Sequence, residues 1–273
     1  CSFCIIPYRR GPERSRPPEQ ILAEVRSLVQ NGAREITLLG QIVDRYGLDL
    51  KESFGLPALL REVNGVEGLD RLRFLTSHPN WFTEPLLESV AGLDKVCPYI
   101  ELPVQSGNDE VLARMRRGYT VEDYRRLIEK IRLALPEAAI ATDIIVGFPG
   151  ETESQFMDTC NLQRDIQFDM AHIAKYSERP QTLASQRYPD DVPPEEKERR
   201  RVFLEKQLRE ILTEKHKPLQ DQSVDVLVES RDEQKNRWYG RTPQNKLVFI
   251  TNGGELLGRR VQVTVDWAGP FSL

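Results

Sequence analysis

Apolar residues in the first two thirds of the chain alternate between helical spacing and short strand-like runs. Helical spacing is clear over residues 17–30, and the following Asn31 and Gly32 end that helix. A short apolar run over residues 35–40 then predicts a strand. The same alternation predicts further strands at 71–76, 99–104, 139–146 and 170–176, and helices at 57–63, 83–90, 110–115, 121–135 and 151–165.

Strands that alternate with helices indicate a parallel sheet with right-handed crossovers. Five strands are visible, and one more is expected just before Cys1, so we predict a partial (β/α)6 barrel of the α/β class. In such barrels the reactive loops follow the carboxyl ends of the strands. Gln41, Ser77, Gln105, Gly147 and Ser177 fall at these ends and should share one rim with the loop that contains Cys1.

The character of the sequence changes after Val192. A long charged helix is predicted over residues 193–217, and Pro218 ends it. Short alternating segments follow at 224–228, 237–241, 246–250 and 261–265, which is typical of a small all-β barrel of the oligonucleotide-binding (OB-like) type. We therefore divide the chain into residues 1–217 and residues 218–273.

Composition narrows the class of protein. The chain has 273 residues, of which 39% are hydrophobic and 29% charged, and no apolar run approaches a membrane span. We expect a cytoplasmic protein without membrane contact. The net charge of −4 argues against a uniformly positive surface, so nucleic-acid contacts would need local basic patches.

The chemistry that stands out is the pair of thiols in Cys1-Ser2-Phe3-Cys4. Two cysteines at this spacing fit half of a zinc site, a redox dithiol or part of an iron–sulfur site. Zinc needs four ligands, and Cys97 and Cys160 are single and distant. A redox dithiol does not fit the proline and the arginines that follow the pair. An iron–sulfur site with an open coordination position remains, although it requires more sulfur than this loop provides.

Several segments together resemble the radical S-adenosylmethionine (SAM) methylthiotransferases. The opening segment Cys1–Tyr8, with Arg10-Gly11 and Ser15-Arg16-Pro17, is similar to the cluster loop of that family. The resemblance continues at Leu38–Gln41, Thr76–Pro79, Leu102–Gly107, Thr142–Thr152 and Asp190–Pro193, and residues 218–273 resemble the TRAM domain that ends such proteins.

The resemblance implies a metal site and a cofactor site. Cys1 and Cys4 match the second and third cysteines of the family's C-x-x-x-C-x-x-C loop, which holds a 4Fe-4S cluster that binds S-adenosylmethionine. The first cysteine would lie four residues before Cys1, and a second 4Fe-4S cluster would lie in an upstream domain, so this chain alone is expected to be inactive. The cofactor contacts are expected at Phe3, Gln41, Gln105, Ser106, Gly147, Gly150, Glu151 and Arg179. Gln181 stands where the family has glycine after Arg179-Pro180.

Two basic sets are candidates for RNA binding. The first follows the cysteines, and arginine forks with an exposed tyrosine suit unpaired RNA. The second lies in the TRAM-like domain, which carries equal numbers of acidic and basic residues, so placement would decide its affinity. The candidates are Tyr8, Arg9, Arg10, Arg14 and Arg16, and then Arg237, Trp238, Arg241 and Lys246. A third run, Arg114 to Arg117 with Tyr119, is at least as consistent with a solvated face.

The segments Leu39–Gln41 and Leu102–Gly107 are most similar to the branch that methylthiolates C2 of N6-dimethylallyladenosine at tRNA position 37. Alternatives are methylthiolation of N6-threonylcarbamoyladenosine in tRNA or of a ribosomal protein, or a non-catalytic RNA-binding fragment. The implied partners are tRNA and an electron donor such as flavodoxin or ferredoxin. We assign no acid–base catalyst, and we expect His172 to be a hydrogen-bonded core residue.

Overall fold

The structure is a computed structural model that describes residues 1–50, 54–251 and 253–273. The described helices are α1 Ile6–Arg10, α2 Pro18–Gln30, α3 Leu56–Asn64, α4 Glu84–Gly92, α5 Asp109–Met115, α6 Val121–Ala134, α7 Glu153–Ile166, α8 Leu183–Arg187 and α9 Pro194–His216. The strands are β1 Glu35–Leu38, β2 Arg71–Phe74, β3 Tyr99–Glu101, β4 Ala139–Val146, β5 Met170–Lys175, β6 Ser223–Asp232, β7 Arg237–Arg241, β8 Leu247–Ile250 and β9 Arg260–Thr264.

Strands β1 to β5 are parallel and follow one another in chain order. Strand β1 pairs with β2, and β3, β4 and β5 pair in sequence. A parallel bridge between Leu72 and Val96 joins the two groups. The predicted α/β architecture is confirmed.

The outer face of these strands forms the main core. Leu72 and Ile100 are fully buried beneath the surrounding helices, while Arg71 and Arg73 point to the opposite face because side chains alternate along a strand. Burial of this apolar layer is the main favourable term that closes the helices onto the sheet. The barrel interior is therefore polar at β2.

The C-terminal strands form a separate antiparallel sheet in the order β8-β7-β6-β9. Val226, Val228, Trp238 and Val248 make its small core. A Cβ on Gly240 would lie 2.1 Å from the Leu227 carbonyl oxygen, so this close strand crossing requires glycine. The all-β character expected for the tail is confirmed.

Buried arginines join the barrel to this sheet. Arg73 donates to the carbonyl oxygens of Thr242 and Pro243, both at 2.8 Å, and pairs with Glu35 at 2.9 Å. Arg71 donates to the Arg241 carbonyl oxygen at 2.5 Å and pairs with Asp225 at 2.8 Å. The two domains are thus connected by charge-assisted hydrogen bonds in a dry interface.

The structure differs from the sequence prediction mainly in its short elements. The segment after the cysteines, expected as a loop, contains the five-residue helix α1, which Gly11 ends at a φ of 72°. Helix α8 was not predicted. Strand β3 covers Tyr99–Glu101 only, because Pro103 lacks the N–H group that a longer ladder would need.

We expect Arg73→Met to destabilise the protein by about 1–3 kcal/mol, since it leaves the Thr242 and Pro243 carbonyl oxygens without their donor and removes the nearer cation of half-buried Glu35. Arg34→Met is the matched control, because the Arg34 side chain is 46% exposed in its pair with Asp70 and such pairs contribute about 0–1 kcal/mol. Chemical denaturation measures the free energy of unfolding. Equal losses in the two variants would contradict the role of Arg73 in domain docking.

Candidate functional site

Ser2, between the two cysteines, attaches the cysteine loop to the barrel. Its backbone N–H donates to the Met115 carbonyl oxygen at 2.8 Å, and its hydroxyl donates to the Arg114 carbonyl oxygen at 2.8 Å. The Ser2 carbonyl oxygen accepts from the Ala184 N–H at 2.8 Å. Because Ser2 is buried and fully bonded, Cys1 and Cys4 occupy defined positions at the end of α5.

The four cysteines fall into two classes. Cys1 is exposed and Cys4 is half-buried, whereas Cys97 and Cys160 are buried. Burial raises the pKa of the Cys97 thiol to about 11 and that of Cys160 to about 12. Metal ions bind the thiolate form, so the opening pair is suited to binding and the buried pair is not.

An aromatic cluster lies beside the cysteine loop. Phe3 packs edge-on against Phe148 with 6.3 Å between ring centroids, and Phe148 packs against Tyr176 at 5.1 Å. Phe148 is fully buried, and the Tyr176 hydroxyl is buried without a hydrogen-bond partner in the described residues. The loop that follows β4 is thereby packed against the loop that carries the thiols.

The glycine turn after β4 is held by side chains of the chain itself. Gly147 and Gly150 have φ values of 69° and 74°, which favour glycine. The Gly147 N–H donates to Glu151 at 2.6 Å, and the Gly150 N–H donates to Asp191 at 2.7 Å. These contacts brace the turn, and the cofactor contacts expected at Gly147 and Gly150 stay predictions.

Glu151 also has an internal partner. Its carboxylate accepts from Arg200 of α9 at 2.8 Å, and only 4% of the residue is exposed. Burial raises the pKa of Glu151, while the Gly147 N–H and Arg200 act in the opposite direction. Glu151 thus braces the turn against α9, and its expected contact with a cofactor stays a prediction.

Two residues at strand ends have strained backbones. Thr76 after β2 has a φ of 67°, and Gln105 after β3 has a φ of 73°. Non-glycine residues with such values cluster at functional sites. Gln105 is buried and its Oε1 has no partner in the described residues, so this amide oxygen is available to a bound donor.

Ser106, expected beside Gln105 at the cofactor, lies elsewhere. It is fully buried, and its hydroxyl is 3.4 Å from the Thr159 hydroxyl of α7. A Cβ on the following Gly107 would lie 2.5 Å from the Thr159 Cα, so the segment packs directly on this helix. Ser106 therefore contributes to helix packing, and its expected contact with a cofactor stays a prediction.

The remaining predicted cofactor residues line two separate cavities. Arg179 lines a cavity of about 600 Å³ together with Ile5, Arg9 and Gln181. Gln41 lines a second cavity of about 1070 Å³ that Arg10, Arg14 and Arg16 also border. The structure therefore brings Arg179 next to the cysteine helix, whereas Gln41 lies with the basic segment.

Asp44 is a partly buried acid that sequence reasoning missed. Its carboxylate accepts from the Ser77 hydroxyl at 2.8 Å and from the His78 N–H at 2.9 Å. Burial raises the pKa of Asp44 to about 6, and it lowers the pKa of His78 to about 4. Asp44 therefore holds the loop after β2, and the only sequence signal for it is its position just after the first strand.

The two basic sets have different surroundings. Tyr8, Arg9, Arg10, Arg14 and Arg16 are all exposed. Arg16 pairs with Glu24 at 2.6 Å, and Glu13 pairs with Arg45 at 3.3 Å. In the described residues no carboxylate lies within ion-pair distance of Arg9, Arg10 or Arg14, so these three cations remain available.

The four residues predicted to bind RNA in the second domain all have contacts within the protein. Trp238 belongs to the core, and Lys246 pairs with Asp169 of the barrel at 3.2 Å. Arg237 lies over the Phe249 ring at 3.5 Å, and Arg241 pairs with Glu229 at 3.6 Å. Sequence proximity suggested one surface, but the four side chains have separate internal partners.

Two further expectations are corrected. Tyr119, considered for base stacking, is buried, and its hydroxyl bonds to the Val104 carbonyl oxygen at 2.8 Å. His172, expected in the core, is exposed on β5, opposite Asp143 in the strand register. The two-residue period along β5 fixes the face on which His172 lies, but it does not determine whether that face is covered.

The side chains suited to metal binding match part of the iron–sulfur site expected from the sequence. In the part of the chain that the structure describes, no three His, Cys, Asp or Glu side chains are grouped to bind a metal. Cys1 and Cys4 supply accessible sulfurs on one anchored loop, which fits part of a thiolate set. The unpartnered Gln105 oxygen and the Arg179 cavity fit a polar cofactor beside them.

Comparison with protein-family models identifies the family of this chain. The profile of the Radical SAM superfamily matches residues 1–162, and that of the TRAM domain matches residues 220–273. The chain belongs to the radical SAM superfamily. Members of this superfamily use a 4Fe-4S cluster and S-adenosylmethionine, which accounts for the exposed thiols at the rim of this radical SAM barrel.

Curated relatives match the whole radical SAM chain. It is 51% identical to the tRNA-2-methylthio-N(6)-dimethylallyladenosine synthases of Roseiflexus sp. and Chloroflexus aurantiacus, and 47% identical to that of Dehalococcoides mccartyi. Each match covers 100% of this chain but only 58%, 59% and 65% of the relative. The chain therefore spans about 60% of the length of these proteins.

Solved structures share the fold at low identity. The radical SAM methyltransferase TsrM from Kitasatospora setae is 20% identical with a TM-score of 0.56, covering 68% of this chain and 36% of that one. Coproporphyrinogen III oxidase from Escherichia coli is 14% identical with a TM-score of 0.53, covering 86% of this chain and 54% of that one.

None of the described helices has the length and apolar character needed to cross a membrane.

We expect the Asp44 carboxyl group to titrate near pH 6 in the folded protein, because burial outweighs its two hydrogen bonds. Ser77→Ala should move this midpoint higher, since the hydroxyl that stabilises the ionised form is removed. Carbon-13 NMR of the carboxyl group measures both midpoints. Exposed Asp123, with a pKa of about 2, is the internal control, and a normal midpoint near pH 4 for Asp44 would contradict its burial.

Proposed function

We propose that this chain is the catalytic and TRAM portion of a radical SAM methylthiotransferase that acts on N6-dimethylallyladenosine in tRNA. The full activity is the addition of a methylthio group to C2 of that base at position 37. The observation that carries the proposal is the anchored loop with Cys1 and Cys4 at the rim of the barrel. The relatives that match the whole chain carry the name of this activity.

The roles of individual residues follow from their contacts. Cys1 and Cys4 would be two of the cluster ligands, and Phe3 would exclude water beside them. The Gln105 oxygen would accept from the amino or hydroxyl groups of S-adenosylmethionine, and Arg179 would bind its carboxylate. When bound, the cluster supplies the electron that starts radical chemistry on this cofactor.

The proposal includes components beyond this chain. A second 4Fe-4S cluster in another part of the full-length protein would supply sulfur, and a flavodoxin or ferredoxin would supply electrons. We place the protein in the cytoplasm, where its tRNA substrate is found. We also retain the division into a radical SAM domain at 1–217 and a TRAM domain at 218–273.

We expect Cys4→Ala in the full-length natural protein to abolish both cluster binding at this loop and the modified nucleoside. Anaerobic iron and sulfide analysis measures the cluster, and mass spectrometry of tRNA nucleosides from a complemented deletion strain measures the activity. Cys97→Ala is the matched control and should retain both, because Cys97 is buried away from the loop.

The outcomes separate the alternatives. A wild-type protein that binds tRNA but takes up no iron would be an RNA-binding module and would overturn the proposal. A deletion strain with normal 2-methylthio-N6-dimethylallyladenosine would instead direct attention to N6-threonylcarbamoyladenosine or a ribosomal protein. Full iron content in Cys4→Ala would refute the ligand assignment.

RNA binding is proposed for the basic segment beside the cysteines. Arg9 lines the same cavity as Arg179, and Arg10 and Arg14 border the larger cavity. Their guanidinium groups have no carboxylate at ion-pair distance in the described residues, and Tyr8 is 60% exposed beside them. Unpaired cations with an exposed ring are suited to phosphates and bases of a single-stranded loop.

We expect Arg9→Glu with Arg10→Glu to weaken tRNA binding by about tenfold or more and to reduce the slope of log affinity against log salt by about one to two. The matched control is Lys130→Glu with Lys206→Glu, which reverses two exposed charges on helices α6 and α9. Filter binding at several salt concentrations measures both quantities. Equal effects in the two double variants would assign the segment to general surface charge.

A further inference from the structure

Arg117 is a buried cation whose surroundings differ from those of every other buried arginine or lysine in the described chain. Only 6% of its surface is exposed. Burying a charge is costly unless an opposite charge and hydrogen bonds compensate. The groups that contact Arg117 therefore indicate the role of its buried charge.

The other buried cations all have carboxylate partners. Arg71 pairs with Asp225, Arg73 with Glu35, Lys197 with Asp190 and Arg200 with Glu151. For Arg117 no carboxylate of the described residues lies within ion-pair distance. Its charge influences Asp143, but that group is not at contact distance. Among the described residues, the Arg117 guanidinium group therefore has no negatively charged partner.

Each nitrogen of this guanidinium has a specific acceptor. Nε donates to the Tyr119 hydroxyl at 3.0 Å, and one terminal nitrogen donates to the Pro103 carbonyl oxygen at 3.1 Å. The other terminal nitrogen donates to the Cys1 sulfur at 2.9 Å. The Tyr119 and Pro103 oxygens thus fix the plane of the guanidinium group. The third contact places a positively charged nitrogen next to the Cys1 sulfur.

The backbone explains how Arg117 reaches this position. Helix α5 ends at Met115, and its C-cap residue Arg116 adopts the left-handed conformation with a φ of 55°. The Arg117 N–H then donates to the Leu112 carbonyl oxygen at 3.0 Å. Ser2 is bonded to the last carbonyl groups of the same helix. The cation and the sulfur are therefore held by one helix end.

We propose that Arg117 is a positioning residue for Cys1 that holds the sulfur by a charge-assisted hydrogen bond and raises the reduction potential of the cluster which this cysteine binds. The inference rests on the proposed function, because it takes Cys1 as a cluster ligand. A cysteinate would supply the negative charge that Arg117 lacks. Hydrogen bonds and positive charge at ligating sulfurs stabilise the more negative, reduced form of a cluster.

Neighbouring residues support a role for charge. His78 is 5.7 Å from the Tyr119 ring, and its low pKa of about 4 keeps it neutral at physiological pH. Burial is the main cause of that pKa, and Arg117 contributes. The imidazole therefore adds no positive charge beside Cys1, and Arg117 is the cation that contacts its sulfur.

The test is an EPR-monitored redox titration of the full-length natural protein after anaerobic cluster assembly. Arg117→Met should lower the ratio of reduced to oxidised cluster at least tenfold at a fixed potential, which is a shift of 59 mV for one electron. Arg116→Asn is the matched control, because Arg116 is exposed one residue away and asparagine tolerates its left-handed backbone. The control should keep the wild-type potential.

Each outcome decides the question. A fully loaded Arg117→Met protein with the wild-type potential would overturn the inference and leave Arg117 a structural residue. If Arg117→Met takes up no cluster, Arg117→Gln, which keeps N–H donors without the charge, is titrated instead and should show the same lowered potential. Failure of both variants to load, with Arg116→Asn loading normally, would also overturn the redox role. A wild-type protein without cluster would refute the proposed function itself.

Discussion

The three hydrogen bonds of Ser2 are the constraint on which the site depends. They attach the residue between the two thiols to the end of α5 and to the start of α8, so the loop cannot move independently of the barrel. Phe3 then enters the aromatic cluster with Phe148, and Cys1 meets Arg117. A site that must hold a large inorganic group needs such support from residues other than its ligands.

Much of the barrel could be predicted from local pattern. The apolar spacing in Pro18–Gln30 and the run at β4 correspond closely to the observed elements, because periodicity reports which face of an element is buried. The thiols were also recognisable, since their spacing and neighbours are local properties. Strand ends and short helices such as α8 were less predictable, because a few residues carry too little periodic signal.

The side-chain environment could not be predicted in the same way. Arg116 and Arg117 are neighbours in a basic segment, yet Arg116 is exposed while Arg117 is buried against a sulfur. Trp238 and Lys246 were grouped by proximity in sequence, but one packs in the core and the other bonds to a different domain. Burial and pairing across long separations decide these cases, and neither leaves a trace in local composition.

The docking of the TRAM domain has a consequence for sequence divergence. Arg71 and Arg73 recognise main-chain oxygens of Arg241, Thr242 and Pro243, which every amino acid possesses. Substitutions at Arg241 or Pro243 can therefore be tolerated without loss of these interdomain hydrogen bonds, provided that the loop keeps its backbone conformation. Arg71 and Arg73 should tolerate substitution less well, because these hydrogen bonds require both the charge and the length of an arginine side chain. Drift at these backbone contacts should be one-sided, whereas Asp225, which pairs with Arg71 through its carboxylate, should be constrained on the TRAM side as well.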